Sequence, residues 1–283
     1  MSAERSPGRA PAEGPGRPPG GITRRAEQLL LAFLGEVLLD SEIDEVPAGV
    51  LIGLLAELGI GEVATRATLA RMVERGLLHK ARSGRQVAFR STPTCERILR
   101  DARVRVLAAD PFAPVGTGWT LVTFSVPESR RDVRHRVRAA LTWSGFGLLR
   151  DGLWIAPGVV DVDAALGPLE GDLDGIDLSA FRAFEIDGFS ARRAVAAAWD
   201  LDAIRARHLD FLATWGEVGV WPNPLRDLTA LAADWLALLR ADPRLPPEHL
   251  SQPWPASDSV ATFRRLHDAL RGPARAELRD RRR

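Results

Sequence analysis

From Glu62 to Arg90 the chain reads EVATRATLARMVERGLLHKARSGRQVAFR, a helical stretch, a Gly-Leu-Leu stop and two short strand-forming runs joined at Ser83, Gly84 and Arg85. A Gly after an apolar-periodic stretch ends a helix, and a Gly-containing polar link between two strand-like runs makes a hairpin. At 100° per residue, Leu69, Met72, Val73 and Gly76 share one side of the helix, which leaves Ala64, Ala67, Thr68, Arg71 and Arg75 on the other. The expected outer face is small and cationic.

Charge along the chain is uneven. Thr65 to Arg90 holds six Arg and Lys80 against the single acid Glu74, whereas residues 21 to 62 hold eight acids and two Arg. The formal net charge of +1 hides this contrast. A polyphosphate feels the local face, within a Debye length of ~8 Å at physiological salt. Small residues let a helix enter the major groove of duplex DNA, where Arg meets the acceptors of guanine or a phosphate. The residues expected to meet DNA are Thr68, Arg71 and Arg75 on the helix, Lys80 and Arg82 on the hairpin, Arg66 at the flank toward a phosphate, and Arg85 at the backbone or in the minor groove. A charged helical face is more often simply solvated. The hairpin tip SGR, however, has no packing reason to be cationic.

Upstream, Pro47 stands where a helix accepts a residue without an N–H, VLIGLLAEL carries a buried stripe, and Gly59, Ile60 and Gly61 end it. Before that, RRAEQLLLAFLGEVLL reads as a helix capped by Thr23. Helix, tight Gly turn and basic second helix make the helix-turn-helix order, and the hairpin that follows makes a wing.

The length of 283 residues suits two or three domains with their own cores. Residues 1–21 hold five Pro and five Gly with almost nothing apolar, so a disordered tail is expected there. No apolar stretch reaches the ~18 residues of a membrane span, and the N-terminus lacks the apolar core of a secretory signal, so a cytoplasmic location away from membranes is expected. Cys95 is the lone cysteine, which excludes a disulfide framework and a thiolate metal cluster and suits a small packing residue. The five His residues lack metal-ligand spacing, so neither a metal nor a cofactor is expected. All but one of the 38 basic residues are Arg, so only their clustering carries information.

In the middle of the chain, WTLVTFSVP reads as a strand ending at Pro127, and ESRRDVRHRVRAALTWSG as a helix with Val133, Val137 and Leu141 inward. FGLLRDGLWIAP follows as two strands turning at Asp151 and Gly152, then DVDAALGPL as a short helix and FRAFEID, residues 181–187, as a last strand. The order β-α-β-β-α-β is the ferredoxin-like motif, with a sheet face left for a second copy or another domain. Arg130, Arg131, Arg134 and Arg138 crowd its helix. They are either a solvated face or, in Arg131, Arg134 and Arg138, a clamp for a phosphorylated effector such as an acyl-CoA.

Residues 190–283 read as helices. Asp200 caps LDAIRARHLDFLATW, Pro224 opens LRDLTALAADWLALLR, Asp258 precedes VATFRRLHDALRG, Trp254 docks the Pro-rich link before it, and RDRRR is a basic, mobile tail. Trp199, Phe211, Trp215, Trp235 and Phe263 are expected in the core.

From about Arg24 to Arg271 the chain resembles the PaaX-type transcriptional regulators. The resemblance rests on TRATLARMVERGLL with SGRQVAFRSTP, on WTLVTFSVPESRRDVRHRVRAALTWSGFGLLRDGLWIAP, and on AWDLDAIRARHLDFL with DPRLPPEHL and QPWP. It implies an α+β multidomain protein with a winged helix-turn-helix domain at 22–105, a ferredoxin-like, Cas2-like domain at 117–189 and a helical C-terminal domain at 190–283. It also implies a dimeric repressor of operator DNA, released by an effector such as an aryl- or acyl-CoA thioester. Arg66, Arg71 and Arg85 are the residues it carries into DNA contact.

Two enzyme readings compete. A Cas2-like metal-dependent nuclease needs carboxylates converging on divalent ions, yet the strand WTLVTFSV ends near Ser125 without an Asp, and Asp161 and Asp163 suit caps of the short helix. An acyl-CoA-handling enzyme lacks a nucleophile elbow, a paired His and acid, and a Gly-rich phosphate loop. No catalytic residue is therefore expected.

Overall fold

The computed structural model describes residues 24–83, 86–188, 191–217, 219, 221–250 and 253–282. The expected tail 1–21, Thr23, and Gly84 and Arg85 of the hairpin tip lie outside them. Helix α1 (Ala26–Phe33) runs on into a π-type turn at Leu34–Leu38. Arg25, not Thr23, holds its N-cap position, because Gln28 one turn in accepts from the Arg25 backbone N–H at 3.3 Å.

A two-residue strand, β1 (Val46–Pro47), precedes α2 (Ala48–Glu57). Gly59, at φ 85°, ends α2: its N–H and that of Ile60 return to the carbonyls of Ala56 and Leu55 at 3.0 and 2.8 Å. Helix α3 (Glu62–Glu74) starts after Gly61 and stops before Gly76, at φ 67°. Strands β2 (Leu78–Ser83) and β3 (Gln86–Ser91) pair antiparallel with Lys80 opposite Phe89 and Arg82 opposite Val87. Strand β1 adds to the other edge of β3, so this sheet has three strands, not the two of a bare hairpin. Two residues show no periodicity, and Pro47 fits an edge strand because it lacks an N–H. Helix α4 (Pro93–Val106), to which the sequence reading assigned no element, is capped by Thr92, whose Oγ accepts from the Cys95 N–H at 3.1 Å.

The second sheet comprises β4 (Trp119–Ser125), β5 (Gly147–Arg150), β6 (Leu153–Pro157) and β7 (Asp177–Ala183), all antiparallel in the order β5-β6-β4-β7. With α5 (Arg131–Trp143) after β4 and α6 (Val162–Leu166) after β6, the element order is β-α-β-β-α-β. Strand β7 begins and ends earlier than residues 181–187, because its seven residues match those of β4 from Trp119↔Ala183 to Ser125↔Asp177. Val133, Val137 and Leu141 of α5 pack on Val122, Trp154 and Ala156 of one sheet face. On the other face Trp119 and Ile155 meet Val195 of α7 (Arg192–Ala198) and Leu245, so part of that face is covered from within the chain.

Helices α8 (Leu201–Trp215), α9 (Pro224–Ala241) and α10 (Ala256–Arg281) complete the fold. Asp200 caps α8 by accepting from the Ala203 N–H at 2.9 Å, and Pro224 opens α9. Helix α10 runs past Gly272 and Pro273 and takes in Arg279, Asp280 and Arg281, the first three residues of the RDRRR segment expected to be a mobile tail. Pro273 leaves the Ala269 carbonyl without an N–H partner, but both residues are exposed, so water can take its place.

The helices on either side of the second sheet share one apolar core. Leu29, Phe33, Leu54, Leu55, Leu69 and Met72 belong to the same cluster as Phe211, Trp215, Trp235 and Phe263, whereas Trp199 is only partly buried in the small cluster around Trp119. Trp235 stacks on Phe263 with ring centres 4.4 Å apart. Segments 22–105 and 190–283 thus bury their apolar residues against each other. At roughly 1.5–3 kcal/mol per fully buried large side chain, this contact is a main source of stability. Polar bonds pin it: Arg24 grips Asp234 through Nε and Nη2 at 2.7 and 2.5 Å, and His267 meets Glu36 at 2.8 Å.

Candidate nucleic-acid interface

Helix α3 packs against both α1 and α2, which widens its buried arc beyond a single stripe. Leu69 and Met72 point inward as expected, but so do Thr65 and Thr68. Thr68 is 2% exposed, so it is not part of the outer face on which the helical wheel put it. Its hydroxyl donates to the Ala64 carbonyl at 2.8 Å and accepts from Arg71 Nη2 at 3.0 Å. Thr68 therefore positions Arg71 from beneath.

The outer side of α3 presents Val63, Ala64, Arg66, Ala67, Ala70, Arg71 and Arg75, all exposed. Their guanidinium groups are engaged to different degrees. Arg66 pairs with Glu62 one turn back at 2.8 Å, with both side chains more than half exposed. Arg75 reaches Glu27 of α1 at 2.5 Å. Arg71, held among the described residues only by the neutral Thr68 hydroxyl, gives up least in turning toward a ligand. Exposed pairs of the Arg66–Glu62 kind contribute only about 0.3–0.5 kcal/mol, too little to hold Arg66 from a phosphate.

Strand β2 sets Lys80 and Arg82 two residues apart on one face of the three-stranded sheet, both exposed. Between Lys80 and α3 lies an apolar cleft of about 340 Å³, floored by Ile52, Leu69, Val73 and Phe89 and rimmed by Arg66, Lys80 and Glu74. Helix and hairpin thus form two walls over an apolar floor, each bringing one cation, Arg66 or Lys80, to the rim. Arg85 lies outside the described residues. The sequence reading missed what holds these walls in place: Glu27 on α1, and Arg281 at the far end of α10, which grips Glu57 of α2 at 2.8 and 3.1 Å. Both depend on contacts between segments remote in sequence.

The arginines of α5 are dispersed. Arg134 pairs with Glu128 at 3.0 Å and donates to the Val126 carbonyl at 2.7 Å, Arg138 reaches Asp151 at 3.6 Å, and Arg131 is exposed. The first braces the turn after β4 and the second leans over the β5–β6 turn, so Arg134 and Arg138 serve different loops. Strand β4 ends at Ser125, and Asp161 caps α6 by accepting from the Ala164 N–H at 2.9 Å. Among the described residues, no group of three or more His, Cys, Asp or Glu is placed to hold a metal ion, and no helix is long and apolar enough to cross a membrane. Cys95 is buried, and burial pushes its thiol up to about 11 from 9.0, with the charge of Glu96 adding to the effect.

Three family descriptions match in chain order: "PaaX-like protein" over residues 25–93, "PaaX protein central Cas2-like domain" over 113–172 and "PaaX-like protein C-terminal domain" over 199–280. The chain belongs to the PaaX family and is a regulator rather than an enzyme. It is 27% identical over 229 residues to the "Transcriptional repressor PaaX" of Escherichia coli (strain K12), covering 74% of this chain and 69% of that protein. Its fold is similar to the solved structure titled "Uncharacterized protein Rv0674 from Mycobacterium tuberculosis", with a TM-score of 0.57, 22% identity and coverage of 90% of this chain and 99% of that one.

Proposed function

We propose that the chain is a sequence-specific, DNA-binding transcriptional repressor that works as a homodimer and is released from its operator by a small acyl or aryl thioester of coenzyme A. The observation that carries the DNA reading is the set of exposed cations on adjoining elements: Arg66 and Arg71 on the outer side of α3, and Lys80 and Arg82 on β2, with Arg66 and Lys80 at the rim of one cleft. In this reading α2, the Gly59 turn and α3 form a helix-turn-helix with α3 in the major groove, and β2 and β3 form the wing over the backbone. Arg71 reads a base edge, Arg66, Arg75, Lys80 and Arg82 hold phosphates, and Arg85 is assigned to the backbone by its place in the sequence. Thr68 supports Arg71 and touches no nucleotide.

In a dimer, two copies of α3 set about 34 Å apart would match half-sites one helical turn apart. An effector that prefers the released state by about 2.7 kcal/mol would then lower operator affinity about 100-fold. The domain division goes with these roles: 22–105 for DNA, 117–189 for assembly and effector, 190–283 as a helical support. DNase footprinting of the purified protein on its own gene neighbourhood, followed by titration of coenzyme A thioesters into the complex, tests the reading. A protected palindromic site erased by one thioester supports it. The absence of any protected site removes the repressor assignment, and a footprint indifferent to every thioester removes the effector class alone.

A further inference from the structure

Helix α10 spans 26 residues, about 39 Å at 1.5 Å per residue, and carries the C-terminal end of the chain to the face formed by α2, α3 and the hairpin. Its last residue, Arg281, and its C-cap, Arg282, have different duties. Arg281 is tied to Glu57 of α2 at 2.8 and 3.1 Å and to Glu277 at 2.6 Å, which fixes the helix end against the DNA-facing side of the fold. Arg282, the next residue, is exposed, and among the described residues no carboxylate lies within ion-pair distance of it. Arg66, Gln86, Arg281 and Arg282 line one open cleft of about 510 Å³, floored by Ala48 and Gly49 and without an acidic residue in its wall.

We propose that the last turn of α10 is a further DNA-contacting element, in which Arg282 holds a backbone phosphate beside the one held by Arg66 while Arg281 acts as the positioning residue. The proposal rests on the DNA-binding reading above. Three things favour a phosphate over a base edge as the occupant. The cleft lies between the start of α2 and the hairpin, beside rather than along the outer side of α3. Its uncommitted cationic donor among the described residues is a single guanidinium, and it offers no carboxylate to accept from a base amino group. Opposing this, a helix C-terminus carries about half a negative charge. Over residues 277–282, Arg279, Arg281 and Arg282 set against Glu277 and Asp280 leave one net positive charge, which offsets the dipole.

The test uses the full chain and measures binding to its operator and to an unrelated duplex across a salt series. Arg282→Ala should weaken both by the same factor and lower the slope of log K against log salt by about one unit, and Arg282→Lys should restore the slope. Arg207→Ala, which removes the same charge from α8 outside this cleft, should leave the slope unchanged. An unaltered slope in Arg282→Ala, with the parent protein binding duplex normally, overturns the assignment of Arg282 and leaves the DNA reading intact. A loss confined to one sequence overturns the phosphate contact in favour of a base contact. Failure of the parent protein to bind any duplex is the separate failure of the DNA reading. Melting temperatures matched to the parent would exclude unfolding as the cause.

Discussion

Replacing Arg71 with Ala is the sharpest probe of the outer side of α3. In the free protein its guanidinium is held by one neutral hydrogen bond, Nη2 to the Thr68 hydroxyl at 3.0 Å, while Arg66 and Arg75 are paired with Glu62 and Glu27. A bidentate contact with a guanine is worth about 1–3 kcal/mol of discrimination. Its loss therefore lowers operator affinity about 5- to 150-fold, at a tenfold change per 1.4 kcal/mol. The variant should fold normally, because Thr68 keeps its bond to the Ala64 carbonyl at 2.8 Å and Arg71 is exposed, so stability should change by no more than about 0.5 kcal/mol. Fluorescence anisotropy on a duplex selected from a random pool by the parent protein, and on its single-base variants, measures both affinity and preference. One position in the duplex should lose its selectivity. Equal affinity and an unchanged preference at every position would remove Arg71 from base reading.

Three further outcomes follow from other parts of the molecule. Arg24→Ala strips both charge-assisted bonds from Asp234, which is 3% exposed and would keep only the Trp215 indole N–H at 3.0 Å, so stability should fall by about 3–5 kcal/mol. Thermal melting should show a drop on the order of 10 °C at roughly 2–4 °C per kcal/mol, and a drop under 2 °C would mean that the pair is not buried as described. Cys95 keeps its proton longer in the folded chain than in the unfolded one, so its contribution is intact below pH 9 and declines as pH rises toward 11. Arg105, pushed down to about 10 by burial and by the nearby charge of Arg244, acts in the opposite sense only above that pH. Between pH 9 and 10 the parent protein should therefore lose about 1 kcal/mol that Cys95→Ala does not lose in urea denaturation, and parallel curves would refute the assignment. Arg134→Ala combined with Arg138→Ala should leave both operator affinity and release by a coenzyme A thioester unchanged, because the two guanidinium groups serve different loops, and blunted release would restore them as joint effector contacts.

Much of the cationic face was visible in the sequence because its determinants are local. Gly59 and Gly76 stop their helices through positive φ, and Leu69 and Met72 mark the inward side of α3. Asp200, Asp161 and Pro224 likewise announce helix starts through bonds or geometry confined to a few residues. What escaped depends on remote partners. Thr68 is buried because α1 and α2 crowd α3 from two sides, which no wheel drawn on α3 alone can show. Arg24 and Asp234 meet across 210 residues, and Arg281 and Glu57 across 224, so nothing in either neighbourhood marks them as pairs. Helix α4 had local signals in Thr92 and Pro93, a cap followed by proline at the first helical turn, that went unused. The basic RDRRR run reads as a mobile tail, yet α10 continues as far as Arg281, and the exposed setting of Gly272 and Pro273 lets it do so.

A salt titration of duplex binding by the full chain tests the cationic face most directly. With Arg66, Arg75, Lys80 and Arg82 turned toward the backbone, tight retention of double-stranded fragments at low ionic strength should give way along a straight line of log K against log salt, with a slope near −0.9 for each phosphate held. A protein that holds no duplex at low salt, or holds it with a slope near zero, would contradict DNA binding through α3 and the hairpin.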